Sequence, residues 1–207
     1  MTMLTRRRVG LTAFAALFAT SFAVAQAPQT VRVRGTIEKV DGNVLSVKTR
    51  DGSATTVKLA DNPRITALTK AQLSDIKEGS FIGVTAMPQA DGSQKAIGLH
   101  IFMDSQKGVV PAGFTPWDRE PGSTMTNADV ASKVTASDGE TLTVTYKDGE
   151  KKVTVSPSTL VVRFNPGSRD DLKPGAQFFI VAATKQADGS YTAPAINVGR
   201  DGVAPPM

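Results

Sequence analysis

The feature that most constrains this chain is a set of Asp-Gly pairs that occurs twice. An Asp-Gly pair between alternating apolar residues is a strong hairpin signal, because the turn needs a positive φ that glycine adopts without steric cost. Three pairs in the first half recur 97 residues later, so the chain is predicted to contain one small β-rich unit in two copies. The pairs are Asp41-Gly42, Asp51-Gly52 and Asp91-Gly92, followed by Asp138-Gly139, Asp148-Gly149 and Asp188-Gly189.

Within each copy the predicted order is three strands, a short helix and two strands. Apolar and polar residues alternate from Val31 to Ile37, which is the period-two pattern of a half-buried strand. Leu73 and Ile76 lie three residues apart before Gly79 and predict the short helix. A five-stranded sheet of this size buries one face by closing on itself, and this order is that of the OB-type barrel. The predicted fold class is therefore all-β, with two tandem OB-like five-stranded barrels, each carrying one short helix.

The repeat also sets the predicted boundaries. Residues 31–103 are expected to form the first barrel and residues 126–198 the second. Residues 104–125 between them are rich in proline and glycine, which is typical of a linker, and residues 199–207 are expected to be an irregular tail.

The first residues have the composition of an export signal. Arg6-Arg7-Arg8 precede an apolar stretch, and Ala25-Gln26-Ala27 supplies an A-x-A cleavage site. This pattern predicts a signal peptide over residues 1–27, cleavage near Ala27, and a periplasmic or secreted location. The apolar stretch is short for a membrane anchor, the alternative interpretation. The arginines leave both the general secretory and the twin-arginine route open.

Charge and cysteine content exclude several function classes. The net charge of +5 falls to about +2 once the three arginines of residues 1–27 are removed, and no basic block remains. The expected partners therefore do not include nucleic acid. The chain has no cysteine, which excludes disulfides, thiolate metal sites and thiol catalysis. No later stretch is long and apolar enough for a transmembrane helix.

A further comparison rests on residues 31–40, 79–86, 116–118, 123–128 and 198–207. In these segments the chain resembles a family of exported bacterial proteins of unassigned function built from small OB-like barrels. The resemblance extends over nearly the whole predicted mature chain. Members of this family are sometimes labelled metal ABC transporter permeases, but a permease needs several apolar spans that this chain lacks after its signal. The resemblance implies no catalytic residues.

The linker supplies the candidate partner-binding residues. Phe114 and Trp117 are aromatic residues in a proline- and glycine-rich segment, and Asp118 follows within the Pro116-Trp117-Asp118 motif. They predict contact with another periplasmic or envelope protein. The leading hypothesis is a non-enzymatic binding or scaffolding module without a cofactor.

A metal-handling role, accessory to a metal transporter, is the alternative hypothesis. His100 is the only histidine, and alternation with Leu99 and Ile101 places it on the outward face of its strand or at the rim. With Met103 and Met125 it would form a nitrogen and thioether site suited to copper(I). An enzyme is not expected, because no G-x-S-x-G motif is present and one histidine alone suggests no triad.

Overall fold

The computed structural model describes residues 30–136 and 139–207. The predicted signal peptide and Asp138 lie outside this range. The described chain is all-β, as predicted, and its elements follow in order. They are β1 (Thr30–Asp41), β2 (Val44–Thr49), β3 (Ala54–Ala71), β4 (Phe81–Pro88), β5 (Gln94–Ile101), β6 (Gly113–Pro116), β7 (Thr124–Ala136), β8 (Gly139–Tyr146), β9 (Gly149–Val155), β10 (Val161–Pro166), β11 (Gln177–Lys185) and β12 (Tyr191–Gly199).

Five strands form a closed barrel, here called the first barrel. β1 pairs with β2, β2 with β3, β3 with β12, β12 with β11, and β11 returns to β1. The pairing of β12 with β3 is parallel and the others are antiparallel. A closed ring leaves no edge strand exposed, which explains how so short a sheet buries one face.

The remaining long strands form a second ring of pairings. β4 pairs with β5 and β7, β7 with β8, β8 with β9, and β9 reaches β5 through a short parallel contact at Gln94 and Lys95. The short strand β6 lies beside β7, and β10 lies between β3 and β5. All twelve strands therefore belong to one continuous sheet.

These pairings differ from the predicted boundaries, which gave residues 31–103 to one barrel and 126–198 to the other. The first barrel takes three strands from the first repeat and two, β11 and β12, from the second. The second ring takes β4 and β5 from the first repeat and three strands from the second. The two repeats have exchanged their last two strands. Hydrophobic alternation does not predict such an exchange, because the equivalent strands of the two repeats have the same pattern.

The exchange is organised around β3 and β10. Leu68 of β3 lies opposite Phe164 of β10 in an antiparallel pairing. On one side Ile65 pairs with Ile196 of β12, and on the other Val161 pairs with Leu99 of β5. The two halves are therefore related by a local twofold relation at this pairing.

The short helix predicted in each copy is wrong. β3 continues to Ala71, and only single 3-10 turns follow at Leu73–Asp75 and, in the second copy, Arg169–Asp171. Extended pairing with β10 outweighs the weak local helix preference of so short a segment. No helix within the described ranges is long and apolar enough to cross a membrane.

The apolar residue after each of these 3-10 turns is buried in a core. Ile76 is fully buried with the core of the second ring, and Leu172 is buried in the first barrel. The glycines that follow, Gly79 and Gly175, have φ values of +82° and +86°, so each turns the chain into the next strand at a conformation that disfavours other residues.

The Asp-Gly pairs are less uniform in structure than in sequence. Gly92 and Gly189 have φ near +85° and occupy equivalent hairpin turns. Gly149 has no positive φ and begins β9 opposite Tyr146. Gly139 begins β8 opposite Ala136 and has a φ of +143°. The third match thus reflects a shared turn, whereas in the other two the glycine lies between strands in the first repeat and begins a strand in the second.

Within the described ranges, apolar side chains form three clusters. One fills the first barrel and one fills the second ring. The third lies between them and is called here the central cluster. Its buried members are Leu68, Phe81, Phe102, Met125, Val162, Phe164, Phe179 and Met207.

Strand exchange predicts how the protein behaves when the chain is cut between its repeats. A protease site inserted between Gly108 and Val109, an exposed position, divides the chain after β5. We expect the two fragments to remain one folded particle under native conditions, because six strand pairings join them. Size-exclusion chromatography and circular dichroism before and after cleavage measure this. Two separately eluting, folded halves would contradict the exchange.

Candidate functional site

An open depression of the described surface lies on the first barrel. It is a groove of about 1090 Å³ between β1, the start of β3 and the β11–β12 hairpin, and it is called here the large groove. Its charged lining residues are Arg32, Arg34, Arg50, Asp51, Asp118, Lys185 and Asp188.

The arginines of the large groove are positioned by strand alternation on β1. Val33 and Ile37 point into the barrel and are almost completely buried, so Arg32 and Arg34 lie on the outer face. The guanidinium carbon of Arg32 lies 3.8 Å from the centre of the Trp117 ring. That of Arg34 lies 4.5 Å from the centre of the Phe179 ring. Stacking on an aromatic face holds each guanidinium flat and stabilises its charge.

Asp118 fixes these two arginines from the linker side. The Nη2 group of Arg34 donates a hydrogen bond of 2.7 Å to Oδ1 of Asp118, and Arg32 lies 3.7 Å from the same oxygen. Burial opposes ionisation of this carboxyl, but the hydrogen bond and charge of Arg34 and the charge of Arg32 outweigh it. The pKa of Asp118 is therefore lowered from its ordinary value.

Arg34 also binds the last residue of the chain. Its Nε donates a hydrogen bond of 2.9 Å to the main-chain oxygen of Met207, whose side chain is buried in the central cluster. Arg34 thus joins β1, the linker and the tail, and it serves both structure and surface chemistry.

The two other carboxylates of the large groove are used locally. Asp188 accepts hydrogen bonds from the main-chain N–H and the hydroxyl of Ser190 at the β11–β12 turn. These bonds lower its pKa. Asp51 accepts equivalent main-chain bonding from Ser53. Both carboxylates stabilise hairpin turns, and neither takes part in the ion pairs found within the described chain.

A second, smaller depression adjoins the first and is called here the small groove. Its volume is about 320 Å³, and it shares Arg34, Thr49 and Arg50 with the large groove. Lys48 and Arg119 add two more cationic side chains, and none of its described lining residues is acidic. Arg119 was not singled out from the sequence, since one arginine in a linker carries no periodic signal.

The partner-binding residues predicted from the sequence lie on two different parts of the structure. Trp117 and Asp118 lie beside the large groove, as described above. Phe114 lies on β6 against the second ring, with the Nζ of Lys151 4.7 Å from its ring centre. The two aromatic residues therefore do not belong to one surface.

His100 is buried, so the prediction of a surface position, on the outward face or at the rim, is wrong. As alternation predicts, its side chain points out of the second ring, but phenyl rings of the central cluster, one of them from the neighbouring strand β10, cover that face. Its ring stacks on Phe164 at 4.8 Å and meets Phe102 edge-on at 4.6 Å. Burial lowers the pKa of His100 to about 3, and Nδ1 has no hydrogen-bond partner within the described chain.

The methionines of the predicted metal site belong to or pack against the central cluster, two of whose phenyl rings contact this histidine. Met125 is a buried member of the central cluster and Met103 packs against it. The aromatic contacts of His100 occupy both its face and its edge. Among the residues described, no group of three or more His, Cys, Asp or Glu side chains is arranged to hold a metal ion.

The comparisons with known proteins add no further identification. No protein family, curated protein or solved structure matches this chain. Its function is therefore inferred from its own residues.

The burial of His100 predicts acid sensitivity. Its folded pKa of about 3 lies below the 6.5 of an exposed histidine, so between these values the unfolded chain binds more protons. The stabilisation is complete above pH 6.5 and is lost as the pH falls towards 3. We expect a His100→Gln variant to lose less stability than wild type between pH 7 and pH 4, by about 3 kcal/mol.

Urea unfolding at both pH values measures the effect. The methionines and phenylalanines around His100 do not titrate, and the carboxylates contribute equally to both proteins. The difference in pH dependence of the unfolding free energy between the two proteins therefore reports the histidine. Parallel loss of stability in the two proteins would contradict a neutral, buried His100.

Proposed function

We propose that this protein is a non-enzymatic binding module whose ligand or partner occupies the large groove of the first barrel. The observation that carries the proposal is the pair of arginines on β1, each stacked on an aromatic ring and both held by Asp118. Ordered side chains on a rigid strand lose little entropy on binding, which favours recognition over a merely solvated surface.

The proposal includes an OB-like character for the first barrel. Its pairing order, β1-β2-β3-β12-β11, runs as strands 1-2-3-5-4 of a five-stranded barrel when the exchanged strands replace those of the first repeat. The large groove lies on the outer face of the first strands. OB-type barrels commonly bind ligands on this side, so the fold supports the location of the binding site. The proposed recognition of the ligand rests on the groove residues themselves.

The proposal also includes export. It is supported by residues 1–27, which contain three arginines, an apolar stretch and an A-x-A cleavage site, the pattern of a signal peptide. The partner would then be a component of the bacterial envelope or periplasm.

The metal-handling alternative has less support. A copper(I) ligand needs an accessible imidazole nitrogen beside thioether sulfurs. His100 instead has its ring packed between phenyl groups and buried.

Substitution of groove residues tests the proposal. Arg32→Ala and Trp117→Ala each remove one half of the stacked pair, and Lys58→Ala is the matched control because Lys58 is exposed on β3 and lines neither groove. We expect a component captured from a bacterial envelope extract by wild-type protein to be retained by the control. Its affinity should fall about five- to fiftyfold in the groove variants, the range for loss of one charged or aromatic contact.

The measurement is a titration of the purified captured component against the four proteins. Equal affinity for all four would remove the large groove from consideration. Thermal melts of each variant show that the fold is intact.

A further inference from the structure

The small groove brings together cationic side chains from three parts of the chain. Arg34 comes from β1, Lys48 and Arg50 come from β2 and the residue after it, and Arg119 comes from the linker. The pairing of β1 with β2 places the first three side by side, since the N–H of Arg50 donates to the main-chain oxygen of Arg34 at 2.8 Å. The fold therefore assembles this cluster, and no short segment of sequence contains it.

The arginines of this cluster hold one another in place through neutral acceptors. Nη1 of Arg50 donates a hydrogen bond of 2.9 Å to the main-chain oxygen of Arg119. Burial first, and then the charges of Arg50 and Arg34, lower the pKa of Arg119, while Glu120 opposes them. Like charges at this separation repel, so the cluster is less stable than its contacts alone would make it.

Hydrogen-bonding capacity is left over in the cluster. A guanidinium carries five N–H donors. Arg34 uses two of its donor nitrogens, on Met207 and Asp118, and Arg50 uses one. Ion pairs found in the described chain involve neither Arg50 nor Lys48. The small groove thus offers several donors and an excess of positive charge around one empty space.

We infer that the small groove binds a tetrahedral oxyanion, a phosphoryl or sulfate group, borne by the ligand of the adjoining large groove. This inference rests on the proposed function for the larger site and names the chemistry of its ligand. Four cationic side chains from three parts of the chain line one depression, which suits an oxyanion whose oxygens accept hydrogen bonds in several directions, and a doubly charged group offsets their repulsion.

The volume and lining of the groove narrow the ligand further. About 320 Å³ is more space than one such group fills, so part of the ligand skeleton enters with it. The lining aromatic residue, Phe178, is buried and cannot stack on a base. Trp117 is covered by Arg32. A phosphorylated or sulfated small molecule or saccharide therefore fits better than a single-stranded nucleic acid, which needs exposed aromatic platforms.

Calorimetric titration of the full chain with inorganic phosphate, pyrophosphate and sulfate tests the inference. We expect binding at about 50 mM NaCl with Kd on the order of 0.1–1 mM for pyrophosphate, weakening as salt is raised. Arg50→Gln and Lys48→Gln should each weaken it, the arginine variant at least about tenfold. Both residues are exposed, so the fold should persist. Lys58→Gln, a matched loss of one charge outside both grooves, should change it less than about twofold.

The remaining arms identify the ligand group and its source. Preference for phosphate over sulfate, or the reverse, assigns the group and supports the inference. Citrate binding as tightly as pyrophosphate would overturn the tetrahedral assignment, because it would show a response to charge alone. An oligothymidylate that binds at least tenfold tighter than pyrophosphate would overturn the assignment to a small molecule or saccharide.

Failure of this inference and failure of the proposed function give different results. No binding of any anion, or equal weakening by Lys58→Gln, would overturn the oxyanion site while capture through Arg32 and Trp117 could persist. Equal affinity of wild type, Arg32→Ala, Trp117→Ala and the control for the captured component would overturn the role of the large groove. Anion binding that depends on Arg50 could remain intact in that case.

Discussion

The pairing of β3 with β10 is the contact on which the rest of the structure depends. β3 is long enough to close the first barrel with its first half and to meet β10 with its second. At Leu68 and Phe164 the two repeats meet in equivalent strands, and both side chains enter the central cluster. Removing this pairing would separate the barrel from the second ring and uncover apolar surface on both, so burial here couples the halves into one cooperative unit.

The exchange of strands also explains the environment of His100. A histidine facing outward from an isolated barrel would meet water, but here phenyl rings of the central cluster, including Phe164 of the adjacent strand β10, cover the outer face of β5 at His100. Gly83 makes this possible, since a Cβ there would lie 2.0 Å from Nε2 of the imidazole. The ring is therefore a neutral packing element, and the same contacts that bury it keep it from acting as an accessible metal ligand.

The grooves follow from the way the linker returns to the first barrel. β6 lies along the second ring, and the chain then carries Trp117, Asp118 and Arg119 across to β1 and β2. One carboxylate neutralises two arginines, and the remaining cations stay without an acidic partner in the small groove. The small groove thus has ordered side chains and an excess of positive charge. Such an excess favours the binding of an anionic ligand.

Sequence alone determined the local properties of this chain. The alternation along β1 predicted that Arg32 and Arg34 lie on the face opposite Val33 and Ile37, and the recurrence of the Asp-Gly pairs predicted strands and turns in a similar order in the two halves of the chain. Tertiary structure decided which strands pair, that the expected helix is one 3-10 turn, that His100 is buried, and that Arg50 and Arg119 meet. The physical reason is that periodicity records the face of a side chain but not its neighbour. Equivalent strands of two repeats offer the same hydrophobic pattern to either partner, so the choice between them depends on contacts far apart in the chain.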